Sequence, residues 1–478
     1  MNIKKNITII KKPKKKKLIS EYKPESNPNF TQREQELKIL QCSLEQNNKL
    51  LIYGIGGIGK TTIAKELVKN QSNVYFFDIE VGLKTALTPH LLEELKEEEI
   101  LNKVGEYLNE ESNYIILDNA LTTDGKDIKS FISKLPNAKV IITSRDKNFN
   151  VNLNSEPIDR LSDDETYQMF IKYLEKNYSK EQLEPLLRFT ANTPLVIEVL
   201  AKQSKKMLKR RELNEVIEYF KDSNLNLKSK IPLSRDDVNS KDITEIINTI
   251  FKSNQIERQE QKELLTALAN LSPEGVSLDN LIKWLNIEDE DELIETLEEL
   301  ESLGWLSERE EENRAIYQIH RIIKEVIDKN IKQPKTIDLL INSLAKQLKL
   351  KNLNNNDLNG KKYLLDVKEL IKNDLETEEF TILLNNLSLI LKALGDLNEA
   401  KKHQLKATEI FEKVLEPSHP SLAILYNNMA TLYYYMEDYR EAKVWIDKAW
   451  NIIKEVFEKS HPYYQGTLET KQVIESKL

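Results

Sequence analysis

Four of the chain's 12 glycines fall within the six positions from Gly54 to Gly59. Gly54-Ile55-Gly56-Gly57-Ile58-Gly59-Lys60-Thr61 follows the pattern G-x-x-x-x-G-K-[ST]. An apolar run at 49–53 precedes it, and an amphipathic stretch over 60–70 follows with Thr62 in its first turn. Glycines let a backbone wrap closely around an anion, so that its N–H groups and the start of the next helix face the charge. Lys60 adds a point charge, and the Thr61 hydroxyl suits Mg2+. The pattern therefore requires a strand, a phosphate-binding loop and a helix in succession, and predicts a nucleotide (ATP or ADP, with Mg2+) as ligand.

The flanking sequence supplies that setting. Short apolar runs at 74–77, 114–117 and 140–143 read as further buried strands, and amphipathic stretches at 91–108 and 126–134 read as helices. Strands alternating with helices predict a parallel sheet covered on both faces, an α/β P-loop domain over 25–150. Tyr114-Ile115-Ile116-Leu117-Asp118 ends an apolar strand in a carboxylate, which places Asp118 at the sheet edge beside the loop as the second Mg2+ ligand. Asn119 follows, and an amide cannot take a proton from water, so slow hydrolysis is expected. Lys139-Val140-Ile141-Ile142-Thr143-Ser144-Arg145 ends another strand, and the planar fork of Arg145 is placed to reach a terminal phosphate. An ordinary surface arginine is the alternative. Lys60, Asp118 and Arg145 are the candidate catalytic residues.

Beyond Thr143 the strand signal almost disappears. A helical domain is expected over 151–235, with Leu161-Ser162-Asp163-Asp164-Glu165 as a helix start. Residues 236–332 read as helices closed by a β-hairpin, with runs at 305–309 and 316–319 around a polar turn at Glu312-Asn313; this is the pattern of a winged-helix domain. Its third helix carries Asp291, Glu292, Glu295, Glu298, Glu299 and Glu301, which would repel a phosphate backbone. Over 333–478 a period of 42 residues appears: Asn385-Asn386 recurs as Asn427-Asn428, Asp396 as Asp438, Ala407 as Ala449, and Ser418-His419-Pro420 as Ser460-His461-Pro462. Repeats of this length are stacked helix pairs that bury their faces on neighbours.

Composition narrows the partners. With 70 basic and 78 acidic residues the formal net charge is −8, which argues against nucleic acid. The lysine-rich arm at 1–24, clustered around Pro13, reads as a solvated tail, with an address signal as the alternative. The single cysteine, Cys42, cannot form an internal disulfide, and no apolar run approaches the roughly 20 residues a membrane helix needs. A cytoplasmic protein with no membrane partner is expected.

The three phosphate-site motifs, in this order, resemble the NB-ARC branch of the STAND signalling ATPases, the family of plant disease-resistance proteins and the apoptosome. Phe30-Thr31-Gln32-Arg33-Glu34 is similar to the motif with which that domain opens, and Asn192-Thr193-Pro194-Leu195 to its G-x-P-L element, with Asn192 at the glycine position. Ile319-His320-Arg321 resembles the M-H-D motif, with Arg321 in the aspartate position. The resemblance implies that Phe30, Arg33 and Pro194 hold the base and that His320 contacts the ADP β-phosphate, a structural histidine being the alternative. The 42-residue units resemble tetratricopeptide (TPR) repeats of the kinesin-light-chain type. That likeness implies that Asn386, Tyr426 and Asn428 line a groove for a protein or peptide ligand; the alternative is that these asparagines knit the repeats together. Together these features predict a switch, closed with ADP and open and homo-oligomeric with ATP. The competing expectation is an adaptor whose loop binds nucleotide for stability alone.

Overall fold

A computed structural model describes residues 18–19, 21–22, 30, 33–91, 97–147, 153–222, 240–253, 256–311, 314–348 and 363–478. Five strands, β1 (Lys49–Tyr53), β2 (Val74–Asp78), β3 (Tyr114–Ala120), β4 (Lys139–Ser144) and β5 (Asn154–Pro157), form a parallel sheet in the order β2-β3-β4-β1-β5. The period of two along each strand sorts the apolar side chains between two cores. Leu51, Ile115, Leu117, Val140 and Ile142 meet helices Glu97–Leu108 and Gly125–Ile132 on one face. Leu50, Ile52, Ile116 and Ile141 meet helices Glu34–Asn47 and Lys60–Val68 on the other.

β5 departs from expectation. Its residues, Asn-Ser-Glu-Pro, are polar and only half-buried at an edge, so no hydrophobic period marks it; its register comes from pairing with β1. The near end of the basic arm also joins the sheet. Ile19 is fully buried and bridges to Leu91, and Tyr22 bridges to Val74; the rest of the arm expected over 1–24, Leu18 and Glu21 aside, lies outside the described residues.

Among the described residues, a third core joins the helices that follow the sheet, with members from Leu161 to Ile474. It begins at a capping box in which the Glu165 backbone N–H donates to Ser162 Oγ while the Ser162 N–H donates to Glu165 Oε2. Helices Asp163–Leu174, Lys180–Leu187, Pro194–Met207 and Leu213–Phe220 come first. Helices Ser240–Ser253, Gln259–Ala269, Leu278–Leu285 and Glu290–Ser302 then accompany a small antiparallel sheet of β6 (Val276–Ser277), β7 (Ser307–Glu311) and β8 (Arg314–Gln318), ordered β6-β8-β7. The expected turn at Glu312-Asn313 lies outside the described residues. The acidic face of Glu290–Ser302 has a partner: Lys206 and Arg258 pair with Glu299, and Lys202 pairs with Glu301.

After helix Arg321–Asn330, helices Pro334–Gln347 and Leu364–Leu370 lead into two long pairs, Glu378–Ala393 with Leu397–Val414 and Pro420–Tyr435 with Tyr439–Val456, and a further helix Pro462–Glu475. The 42-residue period is largely one of caps and close contacts. Asp396 and Asp438 accept from Glu399 and Glu441 N–H, His419 and His461 cap the helices that Pro420 and Pro462 begin, and Ala400, Ala407, Ala442 and Ala449 are fully buried where helices meet.

Candidate functional site

β1 leads directly into the loop at 54–59, which ends with Gly59 as N-cap of helix Lys60–Val68. Gly57 sits at φ 76°, and a Cβ there would stand 3.1 Å from Leu195 Cβ. At Gly56 a Cβ would come within 2.9 Å of Ile322 Cδ1 and 3.3 Å of the Arg145 guanidinium. The loop is thus pressed against two other segments of the chain, and the Leu195 N–H donates to Gly57 O at 3.2 Å.

Lys60 Nζ donates to Gly54 O and Ile55 O, both at 2.9 Å. Burial pushes its pKa down to about 8, with the charge of Arg145 lowering it further, Asp118 opposing, and Arg321 lowering it again. Thr61 Oγ1 donates to the Asp118 carboxylate, at 2.8 and 2.9 Å from its two oxygens, and Thr143 Oγ1 donates to Asp118 Oδ1 at 2.5 Å. Burial raises the Asp118 pKa, while the hydroxyls of Thr143 and Thr61 and the charges of Lys65 and Lys60 oppose the shift. A hydroxyl and a carboxylate converging beside a buried lysine and an amide-lined loop form a donor set suited to a phosphate chain and a hard cation.

A second carboxylate, not anticipated from the sequence, belongs to this cluster. Asp78 ends β2 and is the register partner of Asp118. Asn119 Nδ2 donates to Asp78 Oδ2 at 2.9 Å, and the Glu80 N–H donates to Asp78 Oδ1 at 3.1 Å. Burial, with the neighbouring charge of Asp118, raises its pKa well above the ordinary carboxylate range. The signal was present: Val74-Tyr75-Phe76-Phe77-Asp78 is an apolar strand ending in an acid, like 114–118. Residue 119 also sits at φ 58°, where asparagine is better tolerated than most residues, with its backbone N–H donating to Thr143 Oγ1.

Gly56, Gly57, Gly59, Lys60, Thr61, Thr62, Asp78, Asp118, Arg145, Leu195, His320 and Arg321 share one cavity of about 980 Å³ with other residues. His320 caps helix Arg321–Asn330, its Nδ1 accepting from the Ile322 N–H at 3.2 Å, which leaves Nε2 as the protonated nitrogen of the neutral ring. The ring is itself exposed at the cavity, and the protein packed around it, then the charges of Arg145, Lys60 and Arg321, lower its pKa below the ordinary histidine value. Phe30, Arg33 and Pro194, expected around the base, stand against the loop or its neighbours and are not among this cavity's lining residues. Arg33 donates to Ile58 O at 3.4 Å, Lys172 to Phe30 O at 3.4 Å, and Pro194 Cγ is 3.9 Å from where a Cβ on Gly59 would stand. Thr31 and Gln32 lie outside the described residues. Asn192 adopts φ 52° and donates to Asp163 Oδ1, so an asparagine fills a left-handed position that otherwise favours glycine.

In the repeats the side-chain amides turn toward their neighbours. Asn386 Nδ2 donates to Ala345 O at 2.9 Å, Asn428 Nδ2 to Asn385 Oδ1 at 2.8 Å, and Tyr426 OH to Glu412 Oε1 at 2.8 Å. The two asparagines therefore join successive helix pairs.

Comparison with known proteins agrees with this architecture. Residues 379–455 match the tetratricopeptide repeat family model. No curated protein matches the sequence. Among solved structures, a Signal Transduction ATPase with Numerous Domains (STAND) protein with a tetratricopeptide repeat sensor from Pyrococcus horikoshii is similar over 96% of this chain and 69% of that one. Its TM-score is 0.55 at 18% identity, a likeness of fold. The Walker-type ATPase of Pyrococcus abyssi matches 64% of this chain and 98% of that one, with TM-score 0.32 and 15% identity. BtubC (BKLC) from P. vanneervenii matches 46% and 85%, with TM-score 0.24 and 16% identity. Among the described residues no helix is long and apolar enough to cross a membrane.

Proposed function

We propose that this chain is a nucleotide-dependent signalling switch. In the closed form, ADP is held among the phosphate loop, the helix Pro194–Met207 and His320. A protein or peptide ligand at the TPR repeats favours an open form that takes up ATP and assembles into a homo-oligomer. The supporting observation is the shared cavity: its wall is drawn from the sheet domain, from Leu195 and from His320 and Arg321, so whatever fills it acts on the fit between these segments. Thr61 and Asp118 would hold Mg2+, which when bound offsets phosphate charge; Lys60 supplies the positive charge inside the loop, and neutral His320 offers an N–H.

Residues 236–332 are read as a winged helix serving as a lever. Its acidic helix faces lysines of Pro194–Met207, which supports this reading over DNA binding. Two contacts with the sheet domain support coupling: Lys368 Nζ, from the 333–478 region, donates to Thr85 Oγ1 at 2.9 Å, and His90 meets Glu274, from the 236–332 region, at 3.4 Å. To move the equilibrium from mostly closed to mostly open, a ligand needs about 5 kcal/mol of differential affinity. The test is to extract nucleotide from denatured purified protein. ADP in the wild type and none in Lys60→Ala is expected; an empty wild type refutes the closed switch. Nucleotide-dependent assembly, followed by mass, separates the switch from an adaptor.

A further inference from the structure

Four charged side chains of alternating sign run between the sheet domain and helix Arg321–Asn330. Arg321 Nε lies 3.2 Å from Glu80 Oε1 and 3.7 Å from Glu325 Oε1, and Arg145 Nη1 lies 3.6 Å from that same Glu325 oxygen. Glu80 follows β2 by two residues and Arg145 follows β4 by one, whereas Arg321 and Glu325 are one turn apart on the helix that His320 caps. Two of the three pairs, Arg321 with Glu80 and Arg145 with Glu325, therefore cross between domains. Glu80, Arg145 and Arg321 also line the cavity that contains Lys60, and both arginines are about one-third exposed (34% and 33%), so an entering anion can reach them.

Pairs this exposed hold weakly, each worth no more than about fivefold in an equilibrium. A guanidinium fork matches phosphate oxygens as well as it matches a carboxylate. A doubly charged terminal phosphate near Lys60 would compete with Glu80 and Glu325 for both forks at once. Resting on the nucleotide reading above, we infer that the relay Glu80–Arg321–Glu325–Arg145 tells a nucleoside triphosphate from a diphosphate. The terminal phosphate draws both arginines from their carboxylates and releases the two inter-domain pairs together, whereas a diphosphate leaves them in place. Triphosphate binding and loosening of the domain contact then become one event.

The test uses the full chain and equilibrium titration with fluorescent ADP and a fluorescent non-hydrolysable ATP analogue. Arg321→Gln is expected to weaken the triphosphate by about tenfold while ADP changes by less than about twofold. Glu80→Gln and Glu325→Gln remove competitors for the arginines, and each is expected to tighten the triphosphate by up to about fivefold. Opposite shifts from neighbouring substitutions cannot both arise from damaged folding. Equal loss of both nucleotides in Arg321→Gln, or a weaker triphosphate in either glutamate variant, overturns the relay. Unchanged binding of both nucleotides in Lys60→Ala instead overturns the nucleotide reading itself.

Discussion

Replacing Lys60 with methionine is expected to make the nucleotide-free protein more stable. The side chain is 8% exposed, and its ammonium group reaches two carbonyl oxygens at 2.9 Å. Burial and the nearby arginines bring its pKa from 10.5 to about 8. At about 1.4 kcal/mol per pH unit, keeping that charge in the folded loop costs about 3 kcal/mol at neutral pH. Methionine fills the space of the stem and gives up two hydrogen bonds of about 1 kcal/mol each, leaving a net gain of about 1 kcal/mol. In a chain of 478 residues that raises the melting temperature by about one degree. Because the folded pKa lies below the unfolded one, the unfolded chain binds more protons between pH 8 and 10.5, so wild-type stability rises through that window. The variant lacks that rise. ADP at a hundred times its Kd adds about 2.7 kcal/mol to the wild type and nothing to the variant, so their order inverts. Differential scanning fluorimetry of stripped protein from pH 7 to 10, with and without ADP, reads both effects. A variant that melts below the wild type without nucleotide, or no inversion with ADP, would refute this account of the loop.

Asp78, buried beside Asp118 with a raised pKa, is placed to exchange a proton at the phosphate site, so Asp78→Asn is expected to leave ADP affinity within about threefold and to slow phosphate release by about a hundredfold or more, the usual scale for losing an acid–base group. Asn119→Asp should slow release too, because it removes the donor to Asp78 and adds a third carboxylate; a faster variant would show that an acid at 119 was the limiting element. Lys368→Ala, which breaks the contact with Thr85, is expected to speed ADP release by about fivefold in a fluorescent-analogue chase, and an unchanged off-rate would remove this contact from the coupling route. Burial lifts the Asp366 pKa to about 7 although it accepts the Ser272 N–H. The folded state therefore binds more protons than the unfolded one between about pH 4 and 7, and stability contributed by this group is lost as pH rises through that range. Asp366→Asn should flatten the melting profile there; an unchanged slope would mean that other groups set it.

Features written in neighbouring residues were legible from the sequence by itself. The glycine cluster before Lys60, the apolar runs of four or five residues, the Ser162–Glu165 capping box and the 42-residue spacing of aspartate, histidine–proline and alanine all reflect strand, helix and cap geometry within a turn or two of chain. Tertiary structure decided what depended on register or on contact across domains. Asp78 joins Asp118 because β2 pairs with β3 in one register, and β5 exists because β1 leaves an edge for a polar segment that has no hydrophobic period. The asparagines of the repeats point to neighbouring helices because the stacking geometry places Ala345 and Asn385 within reach. Arg145 and Arg321 share the Glu325 carboxylate because the helix after β8 packs its Ile322 on the phosphate loop. Local sequence sets backbone conformation and which face is apolar; the partner of a charge more than a hundred residues away is set only when the layers close on one another.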